Sequence, residues 1–176
     1  MADRIITFSG KQFCGKDTVA KILLEHFSTF KRLALGDAIK LEYSRQTGLS
    51  LEEIEKNKSV YRPDLIALGD KGRATHPDYW LNKVLNEPGD LIVPDVRVIR
   101  EFELFKQHKA FCIRVESSRE ARAKRGLIVK EDDLTETMLD DIQGWDYIVH
   151  NDGTYAELLE NSELLIVAVK NYFSLA

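Results

Sequence analysis

Little in this sequence could staple the chain, anchor it in a membrane or hold it on a polymer. Cysteine is scarce: Cys14 and Cys112 are the two present. They lie far apart with no ligand-like spacing, which excludes a disulfide framework and leaves both expected as thiols in a reducing compartment. No apolar segment approaches the length of a membrane span. The N-terminal Met-Ala-Asp-Arg runs straight into a strand pattern without a signal-peptide core, so a cytoplasmic protein with no membrane partner is expected. Basic charge is not in excess either. The 25 Lys and Arg against 29 Asp and Glu give a net charge of −4, too little cation to hold a nucleic-acid polymer. With no internal repeat and no low-complexity linker, residues 1–176 read as a single domain large enough to bury its own core. No motif speaks to oligomeric state.

What is present is concentrated near the N-terminus. The apolar run Ile5-Ile6-Thr7-Phe8 leads into Gly10-Lys11-Gln12-Phe13-Cys14-Gly15-Lys16-Asp17-Thr18. A glycine, four residues, then Gly-Lys between a strand and a helical pattern is the spacing and the context of a loop that cradles phosphates. Both glycines let the loop turn tightly, so that backbone N–H groups point inward, and the following helix adds the positive end of its dipole. Residues 10–18 are therefore the expected ATP site, with Lys16 as the mobile cation for the outer phosphates. The residue after that lysine is usually a Ser or Thr whose hydroxyl binds Mg2+, and here it is Asp17. Three roles are open to it: holding the metal through water, capping the helix, or leaving the metal to Thr18.

Downstream, Val19, Ile22, Leu23 and Phe27 recur at helical spacing. Residues 31–35 read as a short strand ended by Gly36-Asp37, and residues 38–47 as a helix stopped by Gly48. Ser50 reads as a helix cap with Glu52 and Glu53 in the first turn. In the segment 61–83, Pro63 suits a first helical turn, and Gly69 with Gly72 permits close approach of a neighbour. Arg62 and Arg73 are candidates for an anionic group of an acceptor, and Tyr79 or Trp80 for its planar or apolar part.

Leu91-Ile92-Val93 is a compact strand with Asp95 and Arg97 at its carboxyl end, where ligands of parallel α/β sheets collect. Asp95 is a candidate for orienting the metal and Arg97 for a second anion contact, with Glu101 placed to orient Arg97. After the strand at 110–115, Arg119, Arg122 and Arg125 recur every three residues along what reads as one helical stripe. Such a stripe suits a lid that neutralises charge during phosphoryl transfer. Glu131-Asp132-Asp133 is an acidic, mobile stretch. A last strand at 145–149, the turn Asn151-Asp152-Gly153 and a helix capped by Thr154 complete the chain.

The order of these motifs resembles a known group. The Gly-Lys-Asp-Thr loop, Arg73 with His76-Pro77-Asp78-Tyr79-Trp80, Asp95-Val96-Arg97 with Glu101, Thr135-Glu136 with Leu139-Asp140-Asp141-Ile142, and Asp146 to Thr154 are similar to the bacteriophage-type deoxynucleoside monophosphate kinases and their bacterial relatives. The same loop and the Asp95/Arg97 pair are also similar to animal-type phosphomevalonate kinase. Of the basic residues which that family carries inside its loop, Lys11 is present, whereas Gln12, Phe13 and Cys14 are not basic. The His-Pro-Asp-Tyr-Trp run fits the nucleotide relatives better.

The architecture expected from the pattern is a three-layer α/β fold with a parallel sheet of about five strands and helices on both faces. The resemblance implies the nucleoside-monophosphate-kinase version of the P-loop NTPase fold, with an acceptor-binding region at about 40–86 and a lid at about 117–133. The function expected is an ATP-dependent kinase, with Mg2+, that moves the γ-phosphoryl group to a small phosphate monoester. A (deoxy)nucleoside monophosphate is the first choice of acceptor and phosphomevalonate the alternative. An alternative of another class is a P-loop nucleotide switch acting through a protein partner. In the kinase reading Lys16, Arg97, Arg119, Arg122 and Arg125 carry the transfer; Arg62, Arg73, Tyr79, Trp80 and Arg97 bind the acceptor; Asp17, Thr18 or Asp95 hold the metal.

Overall fold

A computed structural model describes residues 2–175. Strands and helices follow in the order β1 Ala2–Ser9, α1 Lys16–His26, β2 Phe30–Arg32, α2 Leu35–Thr47, α3 Leu51–Lys56, α4 Lys58–Thr75 and α5 Tyr79–Leu85. Then come β3 Gly89–Val93, α6 Ile99–Gln107, β4 Phe111–Glu116, α7 Arg119–Arg125, α8 Leu134–Thr137, β5 Tyr147–His150 and α9 Tyr155–Phe173. The strands form one five-stranded sheet in the order β2-β3-β1-β4-β5. The pairing is parallel, with Ile6 opposite Phe111, Lys31 opposite Leu91 and Ile113 opposite Tyr147.

The chain divides into two compact units, Leu33–Pro88 and Asp3–Arg32 joined by the chain from Gly89 onward. The second unit carries the sheet. Because successive strand residues face opposite ways, Ile6, Phe8, Ile92, Phe111, Ile113 and Val115 pack on one side with Val19 and Leu23 of α1 and Leu158, Leu165 and Val169 of α9. The alternate residues of β4, Cys112 and Arg114, face the other side, where α6 buries Phe102 and Phe105. The result is three layers, as the sequence pattern predicts. Phe102 also meets the Trp145 ring at 4.5 Å. Arg4 on β1 holds Asp90 on the neighbouring β3 through both carboxylate oxygens.

The first unit is helical. Ser50 accepts from the Glu53 N–H at 3.1 Å and so caps α3 as its sequence predicts, and Gly48 stops α2 at φ +78°. Two expectations are corrected. Gly36-Asp37 does not end a strand; it lies in the first turn of α2, because the Asp37 carboxylate accepts the Ala34 N–H at 3.0 Å and starts the helix three residues early. Pro63 is not in a first turn but inside α4, as its sixth residue, where it withholds the N–H that would bond back to Ser59. The expected closeness at the glycines is present: a Cβ on Gly72 would lie 2.6 Å from the Trp80 ring. Among the described residues no helix is long and apolar enough to cross a membrane.

Candidate active site

The loop between β1 and α1 uses its glycines as the spacing predicts. Gly10 and Gly15 sit at φ +154° and +98°, where L side chains are strained. Space is closed at both as well: a Cβ on Gly10 would lie 2.5 Å from the Cys14 Sγ and from the Val115 carbonyl oxygen, and one on Gly15 would strike the Asn151 amide. Phe13 also takes a positive φ, 60°. The helix starts at Lys16 with Gly15 in the cap position and no side-chain cap. Asp17 is therefore not the cap; it stands in the first turn, two residues inside, where a carboxylate meets the positive end of the helix dipole.

Cys14 contributes through its backbone. Its thiol is buried, which pushes its pKa up, while its carbonyl accepts from Asn151 Nδ2 at 2.8 Å. Beside the loop, a cleft of about 390 Å³ is lined by Gln12, Phe13, Lys16, Asp17, Thr18 and Arg125. A second, of about 410 Å³, is lined by residues that include Lys11, Arg114, Arg122 and Asp140. Lys11 itself is 2.7 Å from Asp140, which also binds Arg114 at 2.9 Å. Arg114 lies across the strand edge from the loop and donates to Ser9 Oγ at 3.1 Å.

The Asp95–Arg97 segment lies beside the loop's own strand, with the Val96 N–H donating to the Phe8 carbonyl at 3.1 Å. Glu101 acts on Arg97 through the backbone rather than the guanidinium: it accepts the Arg97 N–H at 2.8 Å and the Val98 N–H at 3.2 Å. Burial pushes the Glu101 carboxyl up, and those two bonds oppose it. The Arg97 guanidinium instead binds Glu136 at 2.8 Å. Glu136 also accepts the Gln12 N–H at 2.9 Å and is buried.

The three arginines of α7 do not share one stripe. Steps of three residues drift by about 60° each around a helix of 3.6 residues per turn, so the guanidiniums fan out. Arg119 reaches Glu131 at 2.9 Å, and Arg122, which is buried, binds the same carboxylate and the Gln12 carbonyl. Arg125 reaches the Phe13 carbonyl at 3.3 Å and the Asn151 carbonyl at 2.7 Å. The acidic stretch is engaged rather than loose: Arg122 and then Arg119 hold the Glu131 carboxyl below its ordinary range, and Asp133 accepts the Thr135 N–H at 2.9 Å.

The remaining acceptor candidates belong to the Leu33–Pro88 unit. Arg62 is exposed, and Arg73 is exposed on α4 with Asp70 at 2.7 Å. Tyr79 is half-buried, with the Lys83 ammonium 5.5 Å from its ring. Trp80 is a correction: it is buried against Gly72, and its indole N–H donates to the Gly69 carbonyl at 2.9 Å, so it is core rather than ligand surface. No cluster of three His, Cys, Asp or Glu side chains converges on a metal position among the described residues. Asp17 and Thr18 nonetheless offer oxygen ligands beside Lys16 in the first cleft, a donor set that suits a hard cation shared with phosphate oxygens.

Sequence reasoning assigned no role to Glu136, Asn151, Arg114 or Asp140. Glu136 and Asp140 stood inside a motif carried by resemblance, and Asn151 inside a turn. Their partners lie 26 to 137 residues away, beyond any local pattern.

A model of the phosphomevalonate kinase family matches residues 8–111, a stretch that runs from the loop through Lys16 to Arg97. The chain belongs to the phosphomevalonate kinase family. It is 27% identical over 167 residues to the Drosophila melanogaster phosphomevalonate kinase, covering 85% of this chain and 88% of that one. The fold is that of P-loop kinases. Shikimate kinase from Bacteroides thetaiotaomicron superposes with a TM-score of 0.54 at 13% identity, over 95% of this chain and 98% of that one. Shikimate kinase from Acinetobacter baumannii, solved with shikimate, gives 0.53 at 17%, over 96% and 94%. Of the two resemblances in the sequence, the family model names the one that the His-Pro-Asp-Tyr-Trp run disfavoured. This phosphomevalonate kinase family member is thus an ATP-dependent kinase rather than a switch.

Proposed function

We infer that the chain transfers the γ-phosphoryl group of ATP to the phosphate of phosphomevalonate, forming a phosphoanhydride. The observation that carries this reading is the family match over residues 8–111, which holds both the loop and the Asp95-Val96-Arg97 segment. The acceptor oxygen is already anionic, so the transfer needs position and charge neutralisation rather than a general base. In this reading the loop N–H groups and Lys16 hold the β- and γ-phosphates, and Arg97 takes the acceptor phosphate. Arg119, Arg122 and Arg125 exchange Glu131 and loop carbonyls for phosphate oxygens as the lid at 117–133 closes. Asp17, Thr18 or Asp95 would hold Mg2+, which would supply neutralisation of phosphate charge.

A second acceptor keeps a place because Gln12, Phe13 and Cys14 are not basic, whereas that family carries extra basic residues inside its loop. A nucleoside monophosphate, deoxy or ribo, is that second reading. ATP consumption measured with phosphomevalonate, with each nucleoside monophosphate and with no acceptor separates them. Phosphomevalonate is expected to stimulate consumption at least tenfold over the acceptor-free rate. Stimulation by a nucleoside monophosphate alone moves the acceptor to the second reading.

A further inference from the structure

The Glu136 side chain bridges the phosphate loop and the Arg97 guanidinium. Glu136 is 6% exposed at its side chain, while Arg97 is 41% exposed. One of its oxygens accepts the Gln12 N–H at 2.9 Å and the other accepts the Arg97 guanidinium at 2.8 Å. A buried carboxylate is costly unless each oxygen is satisfied. Here one is satisfied by the backbone of the loop, the other by the guanidinium at the end of β3. Both facing groups are donors, so only a carboxylate answers both; an amide of the same shape offers one acceptor and one opposing donor.

Gln12 is fixed at further points. Its side-chain Nε2 donates to the Val129 carbonyl at 2.7 Å, its Oε1 accepts the Val129 N–H at 3.3 Å, and its own carbonyl accepts from Arg122 at 3.4 Å. The loop backbone at Gln12 is thus held to Glu136, Val129 and Arg122 together.

We propose that Glu136 is a positioning residue that couples the seating of ATP in the loop to the aim of the Arg97 guanidinium. This rests on the kinase reading above, in which the loop holds ATP and Arg97 holds the acceptor. Arg97 does not touch ATP in that reading, and Glu136 joins its guanidinium to the loop backbone, so the part of any effect of Arg97 on ATP affinity that Glu136 replacement abolishes is the part that travels through it.

The test is a double-mutant cycle on binding of the non-hydrolysable imido analogue of ATP, followed by calorimetry, with no acceptor present. The variants are Arg97→Ala, Glu136→Gln and both together. Arg97→Ala is expected to weaken the analogue by about fivefold or more in the wild-type background, because it strands the buried carboxylate. In the Glu136→Gln background its effect should fall within about 1.5-fold. Thermal unfolding of each variant accompanies the cycle, since a purely structural Glu136 lowers the melting temperature without making the two effects on binding non-additive. Should Arg97→Ala fold poorly, Arg97→Lys closes the same cycle by removing the guanidinium fork. Equal effects of Arg97 replacement in both backgrounds, or none in either, overturn the proposal. Coupling without turnover of phosphomevalonate leaves Glu136 its role and removes the acceptor; failure of the wild type to bind the analogue removes both.

Discussion

Lys16 opens α1 and lines the cleft beside the loop, so its loss should remove charge from the reacting phosphates while leaving the core untouched. Lys16→Ala is expected to lower turnover by about 100-fold or more, the scale of a lost electrostatic donor, with the melting temperature close to wild type. Steady-state rates and a thermal scan on the same preparation check this. The two cysteines make a complementary prediction. Burial pushes Cys112 up to about 11 and raises Cys14 as well, so neither is a thiolate at neutral pH. Iodoacetamide at pH 8 should label neither in the folded protein and both in urea; rapid labelling of Cys14 in the folded chain would mean that the loop opens. At this scale the sequence was informative where chemistry is local. Lys16 is legible because the spacing of the loop defines it. Trp80 is not, because a ring that faces a ligand and a ring that fills the space over Gly72 have the same helical spacing.

Elements are held to one another by a few long-range polar contacts. The amide of Asn151, just after β5, binds the Cys14 carbonyl inside the loop and closes the space beside Gly15. Asn151→Ala leaves that buried carbonyl without its partner, and a cost of about 1–3 kcal/mol is expected. Chemical denaturation measures the loss, and the KM for ATP should rise because the loop loses its strap. An unchanged KM would confine Asn151 to stability. The sheet, its flanking helices and the caps at Ser50 and Thr154 were readable from period and capping residues. The start of α2 was not: Gly36-Asp37 looks like punctuation until the Asp37 carboxylate is seen closing back on the Ala34 N–H. The fan of arginines on α7 departs from the expected stripe because three-residue spacing approximates a stripe only over one step.

At the scale of the whole molecule, Asp90 and Cys112 are expected to contribute to the pH dependence of stability. Burial alone would raise the Asp90 carboxyl, but Arg4 and Thr29 win and lower it. A lowered carboxyl contributes stability above its unfolded pKa and loses it as pH falls through its folded value. Cys112 works at the other end. Its folded pKa is raised, so its contribution is complete below the unfolded thiol value and is lost as pH rises through about 11. Stability measured by denaturant across pH should therefore fall on both limbs, with Asp90→Asn flattening the acid limb and Cys112→Ala the alkaline one. Unaltered limbs in those variants would assign the pH limits to other groups.

A phosphate loop in this chain serves a kinase whose acceptor is itself a phosphate monoester. Phosphorus NMR of the purified protein with ATP, Mg2+ and phosphomevalonate tests it most directly, with Lys16→Ala as the control. Paired diphosphate resonances from the acceptor are expected to grow as ATP becomes ADP, and to be absent in the control. ATP conversion to ADP with free inorganic phosphate, and the phosphomevalonate signal unchanged, would contradict it.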